Sequence, residues 1–142
     1  MAEFGVTGLD ELILSMQEIA QIPDDVVDDI LNAQADVTVE AQKAAGRQLG
    51  VEAPGSGLTL RSIKKGRVKL RKGQRVLYIT PTGSRKRGKT RTRNTEIAFI
   101  NEFGKKGQKA RPFIKLGNEK SAEAATAAGF RVYDRWLKSK NL

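Results

Sequence analysis

The sequence predicts an α+β protein: a small antiparallel β-sheet packed by a long N-terminal helix and a C-terminal helix, with a long basic loop. Three observations predict it. Apolar residues recur at helical spacing near both ends of the chain, and the period shortens towards two between residues 63 and 80. Residues 82–94 then hold six bases and no large apolar side chain.

The elements follow in order. Leu9, Leu12, Ile13, Met16 and Ile19 predict an amphipathic helix over residues 9–21, with Thr7 as its cap and Asp10 three residues on. Pro23 interrupts. Asp24, Asp25, Asp28 and Asp29 then load the start of a second helix with negative charge, which its macrodipole favours. Val27, Ile30, Gln34, Val37, Ala41, Ala44 and Gln48 share one face of it, so the helix spans residues 24–48 and is roughly 37 Å long. Gly50 is its expected stop. Residues 51–57 read as a loop.

Ile63, then Val68 and Leu70 alternating with Arg67, Lys69 and Arg71, predict a half-buried strand. Lys72, Gly73 and Gln74 form a turn, residues 76–80 a second strand, and Pro81 ends it. Residues 82–94 cannot bury themselves and read as a mobile basic loop. A short helix covers residues 95–103 with Ile97, Ile100, Phe99 and Phe103 inward, and residues 104–109 form a second basic loop. Pro112 suits a first helical position, and Phe113, Ile114, Leu116, Ala122, Ala125, Gly129, Val132, Tyr133 and Trp136 keep helical spacing nearly to the end. The expected organisation is one domain over 1–142: an acidic helical part (1–50), strands (58–81), the basic mobile loop (82–94) and a helical part (95–142).

Composition narrows the chemistry. With no Cys there is no disulfide framework, thiolate nucleophile or thiolate metal site. With no His there is no imidazole base and no Ser–His triad. No apolar run approaches the roughly 20 residues that cross a bilayer, and no secretory signal opens the sequence, so no membrane partner and an intracellular origin are expected. The net charge of +10 is unevenly spread: residues 1–60 carry −9, residues 61–117 carry +17 and residues 118–142 carry +2. Such a division suggests a polyanion partner, an oppositely charged protein surface or self-association through both segments; two solvated faces of one domain are the plainer reading.

Each candidate site has an ordinary alternative. Arg85, Lys86, Arg87, Lys89, Arg91 and Arg93 suit phosphate contacts of a salt-dependent, sequence-independent kind, or simply a solvated loop. No aromatics interleave them for base stacking. Residues 83–90 spell G-x-x-x-x-G-K-[ST] after a predicted strand, but Lys89 leads into Thr-Arg-Thr-Arg-Asn rather than an apolar helix, so no nucleotide cofactor is expected. Glu96 and Glu102, the only acids between residues 53 and 118, lie six apart and point in different directions on one helix. Glu102 is expected to pair with Arg111 or Lys105. Phe99, Phe103, Phe113, Phe130, Tyr133 and Trp136 read as core, whereas the alanine-rich stretch 122–129 and the thin apolar face of the long helix suggest cover by another subunit.

The segment Ile97-Ala-Phe-Ile-Asn-Glu102-Phe103-Gly104, followed by Ala110-Arg111-Pro112-Phe113-Ile114, resembles the small neck proteins of long-tailed bacteriophages, the tail-completion, head–tail joining or minor tail proteins. The stretch 57–63, Gly-Leu-Thr-Leu-Arg-Ser-Ile, is similar to their turn into the first strand, and the opening Gly8-Leu9 fits in order. Ile97 stands where that family usually has Tyr, Lys105 where Thr follows the Gly, and Leu116-Gly117 where Pro-Ala is common. The resemblance implies a non-enzymatic virion protein, assembled in the bacterial host cytoplasm. It implies a six-fold or twelve-fold ring homo-oligomer in the neck, between the connector or adaptor and the tail-tube or tail-terminator proteins. Glu102, Phe103, Gly104, Arg111, Pro112 and Phe113 would position its connecting loop, and the basic loop would face partners or make non-specific contact with DNA in the channel. No catalytic residue, cofactor or metal is expected. The alternative is a sequence-independent nucleic-acid-binding protein using the basic middle segment.

Overall fold

The computed structural model describes residues 22–52 and 57–140, so the expected helix over 9–21 and the Gly8-Leu9 match lie outside the described residues. The order is α1 (Asp24–Gln48), α2 (Leu58–Arg61), β1 (Ile63–Lys65), β2 (Lys69–Arg71), β3 (Gln74–Val76), β4 (Ile79–Pro81), β5 (Ser84–Arg87), β6 (Thr90–Arg93), α3 (Asn94–Phe103) and α4 (Phe113–Ser139). The fold is α+β, with the two long helices packed on each other.

α1 has the bounds its sequence predicts. Asp24 and Asp25 occupy its first turn, where the exposed N–H groups favour negative charge. At the other end the Leu49 amide donates to Ala45 O and the Val51 amide to Gly46 O, while Gly50 takes φ +75°. That left-handed residue closes the last turn on its own carbonyls.

α1 and α4 run antiparallel: Gly117 lies against Gln42, and Gly129 lies further back along α1 against Gln34. The face expected through Ala41, Ala44 and Gln48 is corrected here: α1 buries Ala35, Val39, Gln42, Ala45 and Gly46, while Ala44 and Gln48 are exposed. Gln42 Nε2 donates to Asn118 Oδ1 at 2.8 Å, and Gln48 Oε1 accepts from Lys120 Nζ at 2.7 Å. At one end of the pair Val39, Ala45, Val51, Leu60, Ile63, Ala98 and Phe113 form the apolar core. Leu60 of α2 packs on Gly46, so even this short helix approaches α1 closely.

The strands form three two-stranded antiparallel ribbons. β1 pairs with β4 and β2 with β3, as two parts of one long hairpin. Between the parts the first arm uses three residues, 66–68, and the second only two, 77 and 78, so the register shifts by one as in a β-bulge. The Gly66 amide still donates to Tyr78 O at 2.8 Å. Lys72 and Gly73, with φ of 51° and 78°, make the two-residue turn at its tip; positive φ at both positions suits the right-handed twist of the arms. The expected half-buried strand is corrected here, because the bulge breaks the alternation and Leu70 is 69% exposed. The continuous second strand expected over 76–80 is likewise broken at Leu77 and Tyr78.

The basic segment 82–94, expected as a mobile loop, is a hairpin followed directly by α3. β5 and β6 pair in the register Ser84↔Arg93, Arg85↔Thr92, Lys86↔Arg91 and Arg87↔Thr90. Gly88, at φ +61°, opens its two-residue turn. The aromatic core is also corrected. Phe113 is fully buried, but Phe99, Phe103 and Phe130 are 62%, 67% and 61% exposed, and Tyr133 and Trp136 are half-buried. α3 instead turns Ala98, Asn101 and Glu102 inward.

The two seam glycines should respond differently to substitution. A Cβ on Gly117 would stand 2.6 Å from Gln42 Cα, against backbone, whereas one on Gly129 would meet only the side-chain end of Gln34, nearest at 2.8 Å. Gly117→Ala is expected to cost about 1–3 kcal/mol. Gly129→Ala is expected to stay within about 1 kcal/mol of the parent, because Gln34 can swing away and alanine is the better helix former. Urea unfolding followed by circular dichroism checks both; equal losses would show that the helices touch backbone to backbone at Gly129 too.

Candidate functional site: a capped corner and a basic hairpin

The two halves of the motif over residues 97–114 meet in one corner. α3 ends when Gly104, at φ +78°, donates its amide to Ile100 O at 2.7 Å. A Cβ there would stand 2.9 Å from both Gln108 O and Ala110 N, so the position requires glycine. Lys105 and Gln108 then exchange backbone hydrogen bonds across a tight turn. The loop returns to α3, where the Arg111 amide donates to Asn101 O, and Pro112 precedes the buried Phe113.

Glu102 holds this corner. Its carboxylate accepts from the Ile114 amide at 2.8 Å and the Lys115 amide at 3.0 Å. Those N–H groups belong to the first turn of α4, which has no side-chain cap of its own, and the positive end of the helix dipole favours a carboxylate there. The expected pairing of Glu102 with Arg111 or Lys105 is therefore corrected: an amide pair on the next helix satisfies it, and the Arg111 side chain is exposed. Phe103, beside it in sequence, points outward. Glu96 is engaged elsewhere, with Arg93 at 3.1 Å, so the two acids do not face each other.

The basic hairpin divides its side chains by face. Ser84, Lys86, Arg91 and Arg93 share one face, and Arg85, Thr90 and Thr92 the other. Arg85 turns into the protein: its guanidinium donates to Glu52 Oε1 at 2.6 Å, Thr59 Oγ1 at 2.8 Å and Asn94 Oδ1 at 2.9 Å. It ties the hairpin to the end of α1, to α2 and to α3, so its reading as a partner-facing base is corrected. Asn94 completes the anchor by donating to Thr82 O at 2.8 Å. Lys86, Lys89, Arg91 and Arg93 are exposed, while Arg87 is placed by its backbone alone, opposite Thr90. Lys86 and Arg91 face each other across the strands, a like-charge pair that an anionic partner would relieve.

Glu52 lies in no motif, and Thr59, within the 57–63 stretch, carries no signal of its own beyond that resemblance. Thr59 is fully buried, and both its hydroxyl and its amide donate to Glu52. Burial pushes the Glu52 carboxyl up, but the bonds from Thr59 and Arg85 together outweigh it and leave the pKa below the usual glutamate range. Arg75 on β3 makes a two-pronged contact with Asp28 of α1, at 2.5 and 2.7 Å, and this lowers the Asp28 pKa as well. Lys65 meets Asp36 at 2.8 Å. Among the described residues, Asp24, Asp28, Asp36 and Glu52 of the acidic first third are thus answered by the basic middle third within the same chain.

The G-x-x-x-x-G-K-[ST] pattern does not form a phosphate loop. Its residues run as two paired strands with Gly88 and Lys89 at the tip, and their backbone groups face one another rather than a phosphate. Among the described residues no group of acids is arranged to hold a metal ion, and no helix is long and apolar enough to cross a membrane.

Loss of the helix-capping carboxylate in Glu102→Ala is expected to cost about 1–2 kcal/mol, read as a lower urea midpoint, with Glu102→Gln intermediate because its amide oxygen still accepts. Acid should weaken the fold through Asp28 and Glu52. Both carboxyls titrate lower in the folded chain than in the unfolded one. Their contribution is complete above the unfolded values of about 4 and fades as pH falls through the folded ones. The urea midpoint should therefore hold from neutral pH to about 5 and decline below about 4, and Arg75→Gln should make that decline shallower. An unchanged decline would mean the Arg75–Asp28 contact adds no stability.

No protein-family model, curated protein or solved structure matches this chain.

Proposed function

We propose that the chain is a non-enzymatic structural protein of a tailed phage or prophage virion, forming a ring in the neck that joins the DNA-filled head to the tail. The supporting observation is the corner itself. Glu102, Gly104 and Phe113, which carry the resemblance, act as one joint: the carboxylate caps α4, the glycine admits the returning loop and the phenylalanine anchors the helix. Phe103 and Phe99 emerge from that joint as an exposed aromatic pair, and the exposed Lys105, Lys106 and Lys109 follow in the loop. A rigid corner that presents apolar and charged groups outward suits assembly, where contact surfaces must be held in register. The connector or adaptor on the head side and a tail-tube or tail-terminator protein on the other are the expected neighbours.

A second reading, a sequence-independent nucleic-acid-binding protein, has its own observation. Lys86, Arg91 and Arg93 line one hairpin face with Lys89 at the tip, which suits a phosphate backbone. Native mass spectrometry of the full chain, alone and with the connector and tail-tube proteins of the same phage genome, separates the two. The neck reading expects a closed ring or a defined complex with those partners. Replacement of Lys86, Lys89, Arg91 and Arg93 by Gln should weaken joining without moving the unfolding midpoint. A chain that stays monomeric beside those partners, yet binds free duplex DNA with a log–log salt slope of about −3 to −4 that the same replacement abolishes, overturns the neck reading in favour of the second.

A further inference from the structure

Two apolar patches on the described surface are left uncovered by the rest of the described chain. The first is the pair Phe99 and Phe103, whose ring centroids lie 4.7 Å apart over a shallow groove of about 210 Å³ lined by Pro81, Ala98 and Ile114. The second lies on the outer face of α4, where Ala122, Thr126 and Ala127 form the floor of a groove of about 490 Å³ beside Phe130. Ile114 and Phe130 are 16 residues apart on one helix, roughly 24 Å, so the patches cannot cover each other within one molecule.

Their unpaired charges are opposite, since Glu96 on the Phe99–Phe103 face is met by Arg93 at 3.1 Å. The exposed lysines 105, 106 and 109 follow Phe103 around the loop. At about 100° per residue, Glu119, Glu123, Thr126 and Phe130 fall within about 60° of one another on the outside of α4. Glu123 borders the groove, and Glu119 meets Lys115 at 4.0 Å while 62% exposed. Pairing two α4 faces would bring acids together, and pairing two Phe99–Phe103 patches would bring lysines together. Joining one patch to the other places phenylalanine in an alanine-floored groove and lysine opposite glutamate.

We propose that the acidic outer face of α4 on one copy of this chain docks on the Phe99–Phe103 patch of the next copy, as a repeating head-to-tail contact. This deepens the ring reading above and rests on it for closure of the series; the choice of surfaces rests on their apolar exposure and charge. A head-to-tail contact uses two different patches per subunit, as a cyclic assembly with more than two members requires. Phe130 and Phe103 are the apolar anchors, and Glu119 and Glu123 set the register against Lys105 and Lys106.

The chain has no Cys, so introduced thiols report cleanly. Lys106→Cys and Thr126→Cys, combined in one chain, should give a ladder of disulfide-linked multimers on mild oxidation, read on a denaturing gel, while each single variant stays a monomer. Adding Phe130→Ser should abolish the ladder and leave the circular dichroism spectrum and unfolding midpoint unchanged, since that ring is largely exposed. A dimer from either single variant, or no ladder from the double variant, overturns the contact. Chains that ladder but never bind the connector keep this contact and sink only the neck reading; chains that bind the connector without laddering do the reverse.

Discussion

The close approach of α1 and α4 is the constraint on which the remaining structure depends. Gly117 on α4 meets the backbone of Gln42 on α1, while Gly129 makes room for the Gln34 side chain, so the seam has little tolerance at Gly117. A slip of one residue turns a helix by about 100° and would rotate Gly117 away from Gln42. The axial position of α4 must therefore be fixed at its start, and the corner fixes it. Phe113 is buried, Glu102 holds the next two amides, and Gly117 follows one turn later. The buried carboxylate thus acts through α4 on the seam, and through the seam on the core that α1 shares with α2 and β1.

What the sequence made legible follows from how local each signal is. The bounds of α1 are readable to the residue, because Pro23, the acidic first turn and Gly50 are punctuation read within a few positions, although its spacing misplaces the buried face. The turn at Lys72-Gly73 and the start of α4 after Pro112 are local in the same way. The β5–β6 hairpin was not readable. Its strands lack apolar residues, and Arg85 anchors them to Glu52 and Thr59, 33 and 26 positions away. Periodicity reports burial, and this hairpin is held by polar contacts to distant residues. The aromatics misled for a related reason. Helical spacing shows which residues share a face, but not whether that face meets the core. Phe99 and Phe103 share one with solvent, while Ala98 and Glu102 take the inner side.

Glu102 shows how a residue type can be noticed and its role missed. Two acids in a basic segment invite pairing with nearby cations, and Arg111 and Lys105 are close in sequence. The amides of a helix start compete for the same carboxylate with two aligned donors and a favourable dipole. They win here because the loop returns α4 to the end of α3, a fact about Gly104 and the turn through Gln108 rather than about charge.

The division of charge acquires a different meaning once the contacts are known. A segment of −9 beside one of +17 suggests unlike surfaces for joining subunits, but Asp24, Asp28, Asp36 and Glu52 already meet Arg75, Lys65 and Arg85 inside one chain. Those pairs dock the hairpins on the first third of the chain, and the least exposed of these acids, Asp28 and Glu52, are taken up by them. The basic excess that remains lies on the hairpin faces and the loop at residues 105–111, whereas Glu119 and Glu123 leave α4 with an acidic face directed away from α1. That face is a negative surface open to a neighbour, as are the exposed Asp25, Asp29 and Glu40 of α1. Four acids of the first third are internal counterparts of the basic hairpins, so segment charge in part records folding contacts, and only the charge left unpaired locates the surfaces open to a partner.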